Sequence, residues 1–291
     1  APKQSGGWAS FDQLSMTIGL VFGVLGLPHV MIRFLTVPDA KQARTSAYTA
    51  IWIFFAFYLL IPVLGYGAAK IVGIDAIKQA NRGGNLAVTQ LAESVGGSVL
   101  LALVAAVAFV TILAALSGLV IATSGAIAHD LYGQVFRRGG GSAKSQHRAA
   151  RVATVATCVA GMLIAFVAEG QNVAFLASFG MSIAACANLP ALLLTMYWKR
   201  MTARAVLWGI LVGLGLSLAV ILLSPVVQGP DAPLPFSNPA LVVAPIALVV
   251  SVLVALAGKP RSAAADREFF ALRTQALTGR RPAEVGSAVT S

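Results

Sequence analysis

The sequence predicts an all-α, polytopic membrane protein with about seven transmembrane helices, and three observations carry that prediction. The first is composition: of 291 residues, 58% are hydrophobic and 11% charged, with a mean hydropathy of +0.83. A soluble domain has about a quarter of its residues charged, and 10 acids are too few to help cover the surface of a large water-facing core. Apolar content this high also excludes a disordered chain. The second is segmentation. Crossing a bilayer takes about 20 apolar residues in a helix, and such stretches occur at approximately 14–36, 47–69, 98–125, 150–168, 173–197, 203–224 and 239–257.

The third is where the bases fall. The net charge is +11 and the pI about 10.3, which in a soluble chain would suggest nucleic acid. Here the bases form no patch. Of the 21 Lys and Arg residues, 17 lie after spans one, three, five and seven; only Lys3, Lys70, Lys78 and Arg82 lie on the opposite side. Bases concentrate on the cytoplasmic side of membrane proteins, so the N-terminus is expected outside and the C-terminus in the cytoplasm. The excess charge reports orientation, and no nucleic-acid partner follows from it. The expected organisation is an extracellular loop over 1–13, a transmembrane domain over 14–257 and a cytoplasmic tail over 258–291. Residues 1–12 lack a secretory signal's basic start and apolar core; we read them as a loop following an earlier helix.

The first span contains Gly26-Leu27-Pro28-His29. Proline removes a backbone donor, and Gly23 and Gly26 ease unwinding beside it. Such a break is either a simple kink or the start of a discontinuous helix whose free carbonyls and amides bind ions and anionic substrates. The connection from Lys70 to Ser98, punctuated by glycines, is expected to hold a short helix over the outer mouth or to be a passive loop.

The third span carries small and hydroxyl residues. Ala108, Thr111, Ala115, Gly118 and Ala122 recur at spacings of three and four and share a face, which suits close helix packing. Thr111 also offers oxygen to a small hard cation. Gly139-Gly140-Gly141 lacks the Gly-Lys-Ser/Thr that would make a phosphate loop and is assigned to a cytoplasmic connection. Glu169 is placed at the outer boundary of the fourth span. In the fifth span Asn188-Leu189-Pro190, with Gly180 and Ser182 upstream, marks either a second hinge or a tolerated kink. Cys158 and Cys186 fall inside spans and are read as small buried hydrophobes. No His or Cys spacing suggests a metal site. The tail from Lys259 is either disordered or forms a short surface helix around Arg267 to Leu277.

Two segments together resemble a known family. Gly26-Leu27-Pro28-His29 through Lys41, followed by Ala43-Arg44-Thr45-Ser46, is similar to the sixth core helix and its exit in sodium/solute symporters of the cation/acetate symporter (acetate permease) branch. Ala108 to Ala114, continuing through Gly118-Leu119 to Ser124 and the ending His129-Asp130-Leu131-Tyr132, is similar to that branch's eighth core helix. The resemblance runs from about Leu14 to the end of the seventh span. It implies a partial leucine-transporter-type inverted-repeat fold: core helices six to ten plus two peripheral ones, forming the C-terminal half of a transporter whose N-terminal half is a missing partner.

The resemblance also implies a sodium site built from core helices one and eight. Carried onto this sequence, its positions are Thr111, which contributes backbone oxygen, and Ala114 and Ala115, where sugar and proline members carry hydroxyl residues. That departure leaves Thr111, Ser117 or a different cation, a proton, as the alternatives. Gly26, Pro28, His29, Asn188 and Pro190 are the expected substrate-binding or hinge positions. The implied activity is secondary-active, Na+- or H+-coupled symport of acetate or another short-chain monocarboxylate across the cytoplasmic membrane, with no cofactor and no enzymatic role. The same fold with pyruvate, propionate or an amino acid as solute is the nearer alternative; a transporter-like sensor module is the other.

Overall fold

Helices make up the computed structural model, which describes residues 7–27, 30, 40–136, 143–229, 232–258, 266, 269–271, 273 and 274. Among these residues, seven helical segments are long and apolar enough to cross a membrane: Gly7–Gly26, Lys41–Ala80, Ala87–Gln134, Lys144–Phe166, Val173–Tyr197, Ala203–Gln228 and Ala240–Ala257. The protein is an all-α, multi-pass membrane protein. Its helical segments coincide with the seven expected stretches, and the differences lie at their ends.

Helix α1 (Gly7–Gly26) begins inside the stretch assigned to a loop and stops well short of residue 36. Its first turns are too polar for an apolar window, yet their side chains have partners. Trp8 and Phe11 pack on Phe236, with ring centroids 6.2 and 5.4 Å away, and Asp12 accepts two backbone N–H bonds. Helix α2 (Ala40–Ala68) runs through a π-helical turn (Ala69–Gly73) into α3 (Ile74–Ala80). After a short turn, α4 (Ala87–Gly125) follows and continues as a π-helical segment, Ala126–Phe136. Gly97 interrupts α4 with φ 63° and ψ −161°, a conformation essentially confined to glycine. The connection expected between Lys70 and Ser98 therefore holds two short helices, α3 and the turns of α4 before Gly97.

Helices α5 (Ala143–Val167), α6 (Val173–Tyr197), α7 (Ala203–Leu222), the single turn α8 (Pro225–Gln228) and α9 (Ala240–Ala257) complete the order. Thr202 caps α7, its hydroxyl accepting from Ala205 N at 3.3 Å. The chain divides into two units, Trp52–Val173 and the remainder.

In the unit Trp52–Val173, one end is tied by amide side chains. Asn85 Nδ2 donates to Gln171 O (3.1 Å), Asn172 Nδ2 donates to Gly83 O (2.7 Å), and Val173 N donates to Asn85 Oδ1 (3.0 Å). The turns after the second and fourth spans thus lie at the same end, as the span count requires. Exposed Glu169 sits in that second turn. Cys158, expected to be buried, is exposed on α5. The apolar stretches of α2 and α4 are not buried within the chain.

The other unit packs around α6, in which Ser178, Phe179, Ser182, Ala184–Ala187 and Leu189–Ala191 are buried. Its neighbours approach through small-residue stripes. The buried residues of α1 are Ser15, Gly19, Gly23 and Gly26; those of α7 are Ala205, Gly209, Gly213 and Ser217. A Cβ at Gly23 would fall on Met181 O, one at Gly26 on Ala184 O, and one at Gly213 on Cys186 O. Lipid tails are as apolar as leucine, so close backbone approach supplies much of the packing energy here. Helix α9 closes the unit, with Ser251 against Gly209 and Ala240 against Gly19. Cys186 joins Ala240 and Val243 in the core, as the expected small hydrophobe.

At the opposite end, Met201, Ala205 and Ala255 cluster with Leu194 and Trp198. The ends of α6 and α9 therefore meet the start of α7, so α6 and α9 run parallel and α7 runs against them. In the tail, Asp266, residues 269–271, Arg273 and Thr274 are helical. Lys199 reaches this segment, 3.9 Å from Asp266 and 5.8 Å from the Phe270 ring.

Replacing Gly213 by leucine drives a side chain into the Cys186 carbonyl and is expected to destabilise the fold by about 1–3 kcal/mol, the usual cost of overpacking. Gly215→Ala on the same helix, where a Cβ meets nothing within 4 Å, is the control and should be neutral or slightly stabilising. Thermal unfolding in detergent separates the two.

Candidate functional site

The end of α1 is the point where the sequence signals and the geometry meet. The last carbonyls of a helix lack intrahelical donors, and Pro28 has no N–H to give. Val30 N donates to Leu27 O at 3.1 Å, and Leu27 N donates to Val24 O at 3.4 Å. Both bonds span three residues, and among the described residues neither they nor another backbone N–H serves the Gly26 carbonyl. The donor comes from another helix: Asn188 Nδ2 of α6 donates to Gly26 O at 2.7 Å. Gly26 is buried and packs against the α6 backbone at Ala184, so the amide is held in place by the glycine contact beside it. Two of the expected positions are thereby joined. Pro28 and His29 lie outside the described residues, as do Gly139, Gly140 and Gly141.

Pro190 sits two residues further along α6 and is buried, yet the helix runs through it. Proline at this position withholds the bond that Cys186 O would accept. That carbonyl faces Gly213 of α7, where the absence of a side chain lets the backbone come close. Helix α1 thus ends at Gly26 against α6, and α6 continues through Pro190, two residues beyond the Asn188 that reaches Gly26.

A polar cluster at the start of α9 had no clear signal in the sequence. Asp12 Oδ1 accepts from Ser237 N (2.8 Å) and Asn238 N (2.7 Å). Ser15 Oγ donates to Asn238 O (2.8 Å) and accepts from Leu241 N (3.0 Å). Ser182 Oγ donates to Asn238 Oδ1 at 2.7 Å. Among the described residues, Asn238 Nδ2 is buried without a partner. Asp12 and Ser15 lie three apart on one face, and Ser-Asn-Pro precedes α9, which is the only local hint. The link to Ser182 spans α1, α6 and α9 and could not be read from spacing.

The residues expected to bind a cation are all on α4. Thr111, Ala114 and Ala115 share a face; at about 100° per residue, Ser117 lies about 120° round from Thr111. Thr111 Oγ1 donates to Val107 O and Ser117 Oγ to Leu113 O, each at 2.8 Å. Those bonds use the hydroxyl protons and leave oxygen lone pairs outward. Ala108, Thr111, Ala114, Ala115, Ser117 and Gly118 are all exposed, so none of the described residues covers this small-residue face. The packing expected of it is found on α1 and α7 instead. At the far end of the π-helical segment's first turns, His129 Nδ1 and Asp130 Oδ1 lie 2.9 Å apart at the surface.

Comparison with known proteins gives the chain's family. Residues 8–213 match the family model described as sodium:solute symporter family. The chain is 45% identical over 243 residues to a protein named uncharacterized symporter YwcA of Bacillus subtilis, covering 81% of this chain and 47% of that protein. It is 41% identical over 258 residues to a monocarboxylic acid transporter of Corynebacterium glutamicum, covering 86% of this chain and 47% of that protein. The chain spans about half the length of the curated relatives it matches. No solved structure matches it. The extent of the family match and the identity to both relatives show that the chain belongs to the sodium:solute symporter family, whose members are membrane transporters and not enzymes.

Proposed function

We propose that this chain supplies the C-terminal half of a symporter that moves acetate or another short-chain monocarboxylate into the cell, driven by a Na+ or H+ gradient. The observation that carries the reading is the Gly26–Asn188 contact: a helix end whose carbonyl is served by a second, proline-bearing helix. A transporter that alternates its access needs such weak points, and they also leave backbone groups near the substrate. The substrate class rests on the monocarboxylic acid transporter relative and on the acetate-permease resemblance. The half assignment rests on the chain's spanning about half of its relatives' length.

In this mechanism the cation binds by Thr111 and stabilises the outward-open state. The face shared by Thr111, Ala114 and Ala115 carries one side-chain oxygen where other members carry more, so a backbone carbonyl and the other half of the transporter complete the coordination, or a proton replaces the metal ion. The carboxylate binds at the break after Gly26. Donors freed where a helix is interrupted point at the anion, and helix N-termini add favourable field. Rocking about the α1 and α6 weak points then opens the site to the cytoplasm. The distribution of bases supports the N-terminus outside and the tail in the cytoplasm, in the inner membrane.

Complete protein in liposomes should take up labelled acetate under an imposed Na+ or proton gradient, with propionate and pyruvate as competitors to rank the solutes. Absence of uptake under every gradient would sink the reading. Thr111→Ala should raise the cation concentration for half-maximal uptake about tenfold, equivalent to about 1.4 kcal/mol. An unchanged cation dependence removes the Thr111 hydroxyl from the site.

Asn188→Leu leaves the buried Gly26 carbonyl without its donor and should cost about 1–3 kcal/mol. The loss is read as lowered thermal stability, and as a fall in uptake larger than that of Asn188→Gln, which keeps an amide.

A further inference from the structure

Two adjoining grooves on the unit Trp52–Val173 have no role in the transport reading. The first, about 570 Å³, lies between the π-helical segment and the start of α5 and is lined by Ile127, Leu131, Tyr132, Ser145, Arg148 and Val152, among others. The second, about 620 Å³, runs along α5 from Arg151 past Val155 and Val159 to Leu163. They share Val152 and Ala156, so they form one slot. Its two ends differ in chemistry. Arg148 and Arg151 are exposed at one end, with Lys144 a turn earlier, and among the described residues no acid forms an ion pair with any of the three. Beyond Val152 the lining is entirely aliphatic.

The dimensions fit a lipid. From Val152 to Leu163 the helix rises about 16 Å at about 1.5 Å per residue, against about 15 Å for one leaflet of a hydrocarbon core about 30 Å thick. A free phosphate would use only the basic end, and an apolar helix would leave the two guanidinium groups without a counter-charge, whereas an anionic lipid supplies both parts in one molecule. We propose that the slot binds one anionic phospholipid, its phosphate between Arg148 and Arg151 near the Ser145 and Tyr132 hydroxyls and an acyl chain along Val155, Val159 and Leu163. Basic clefts between helices at the cytoplasmic surface take anionic headgroups in this way, each Lys or Arg near the surface adding about 1 kcal/mol, or about fivefold in affinity. The site is independent of the transported solute, so loss of transport leaves it standing.

Native mass spectrometry of the complete protein in detergent, with dioleoyl phosphatidylglycerol or dioleoyl phosphatidylcholine added at equal concentration, tests it. The wild type should retain phosphatidylglycerol preferentially. Arg148→Gln should lower that preference about fivefold, and Arg148→Lys, which keeps the charge, should lower it less. Ala156→Phe should reduce retention of both lipids by filling the slot. Arg148 and Ala156 are both exposed, so neither substitution disturbs the packed core. Equal retention of the two lipids by the wild type, or an unchanged preference in Arg148→Gln, overturns the proposal. Full competition by glycerol phosphate also overturns it, because the ligand would then be a soluble phosphate and the apolar slot would be idle.

Discussion

In hydrocarbon a backbone carbonyl without a donor cannot turn to water, and α6 shows how much of one unit follows from that constraint. Met181, Ala184 and Cys186 present carbonyls that are met by Gly23, Gly26 and Gly213 of two neighbouring helices. A side chain larger than hydrogen at any of these positions would collide with the α6 backbone. Helices α1 and α7 are therefore positioned against α6 by the absence of atoms, and the positions of the glycines set where each crossing occurs. Helix α9 then fills the remaining groove with residues as small as Ala240, Ala247 and Ser251.

The ends of this unit obey the same constraint by other means. At one end, Asp12 and Ser15 satisfy the donors that precede α9 and begin it. A carboxylate at a helix N-terminus is favoured by the helix dipole, and bonds to an ionised acceptor are stronger than neutral ones. This is why α1 can begin at Gly7 in a segment that hydropathy leaves out: its acid serves the backbone leading into another helix, and its Ser15 caps that helix's first turn. At the opposite end an apolar cluster around Met201 and Ala205 performs the closure, and the tail adds Asp266 and Phe270 about Lys199.

The spans, their number and their relative direction were legible in the sequence because each depends on local composition. The end of α1 at Gly26 was legible for the same reason, since glycine and proline act on their own turns; at Asn188-Leu189-Pro190 the same signal lies inside a helix that continues. What escaped was pairing. The bond from Asn188 to Gly26 joins residues 162 apart, and the Asp12–Asn238 contact joins residues 226 apart. Neither leaves a mark in a window of 20 residues. The small-residue stripes show the limit most clearly: a stripe at spacings of four is buried in Ala205, Gly209, Gly213 and Ser217, while one at spacings of three and four is exposed in Ala108, Thr111, Ala115 and Gly118. Periodicity identifies a face, and only the fold identifies what covers it.

Gly26 and Pro190, on either side of the Asn188 amide's bond, illustrate how a helix end and a proline inside a helix behave differently. Pro190 withholds one donor from α6, and the helix continues through it among buried residues. Around Gly26 the backbone bonds span three residues, and among the described residues the Gly26 carbonyl is served by one amide side chain. A typical hydrogen bond contributes about 1 kcal/mol net when a replacement is at hand, whereas leaving the carbonyl bare costs more. Such a bond holds a conformation firmly while being cheap to exchange for another. Under the proposed transport cycle, that places the point of movement at α1's end, where a substrate or a shifted helix can take over a single bond. On α6 the carbonyl that Pro190 leaves without its usual donor, Cys186 O, lies against Gly213 of α7, so movement there has to carry the α7 contact with it.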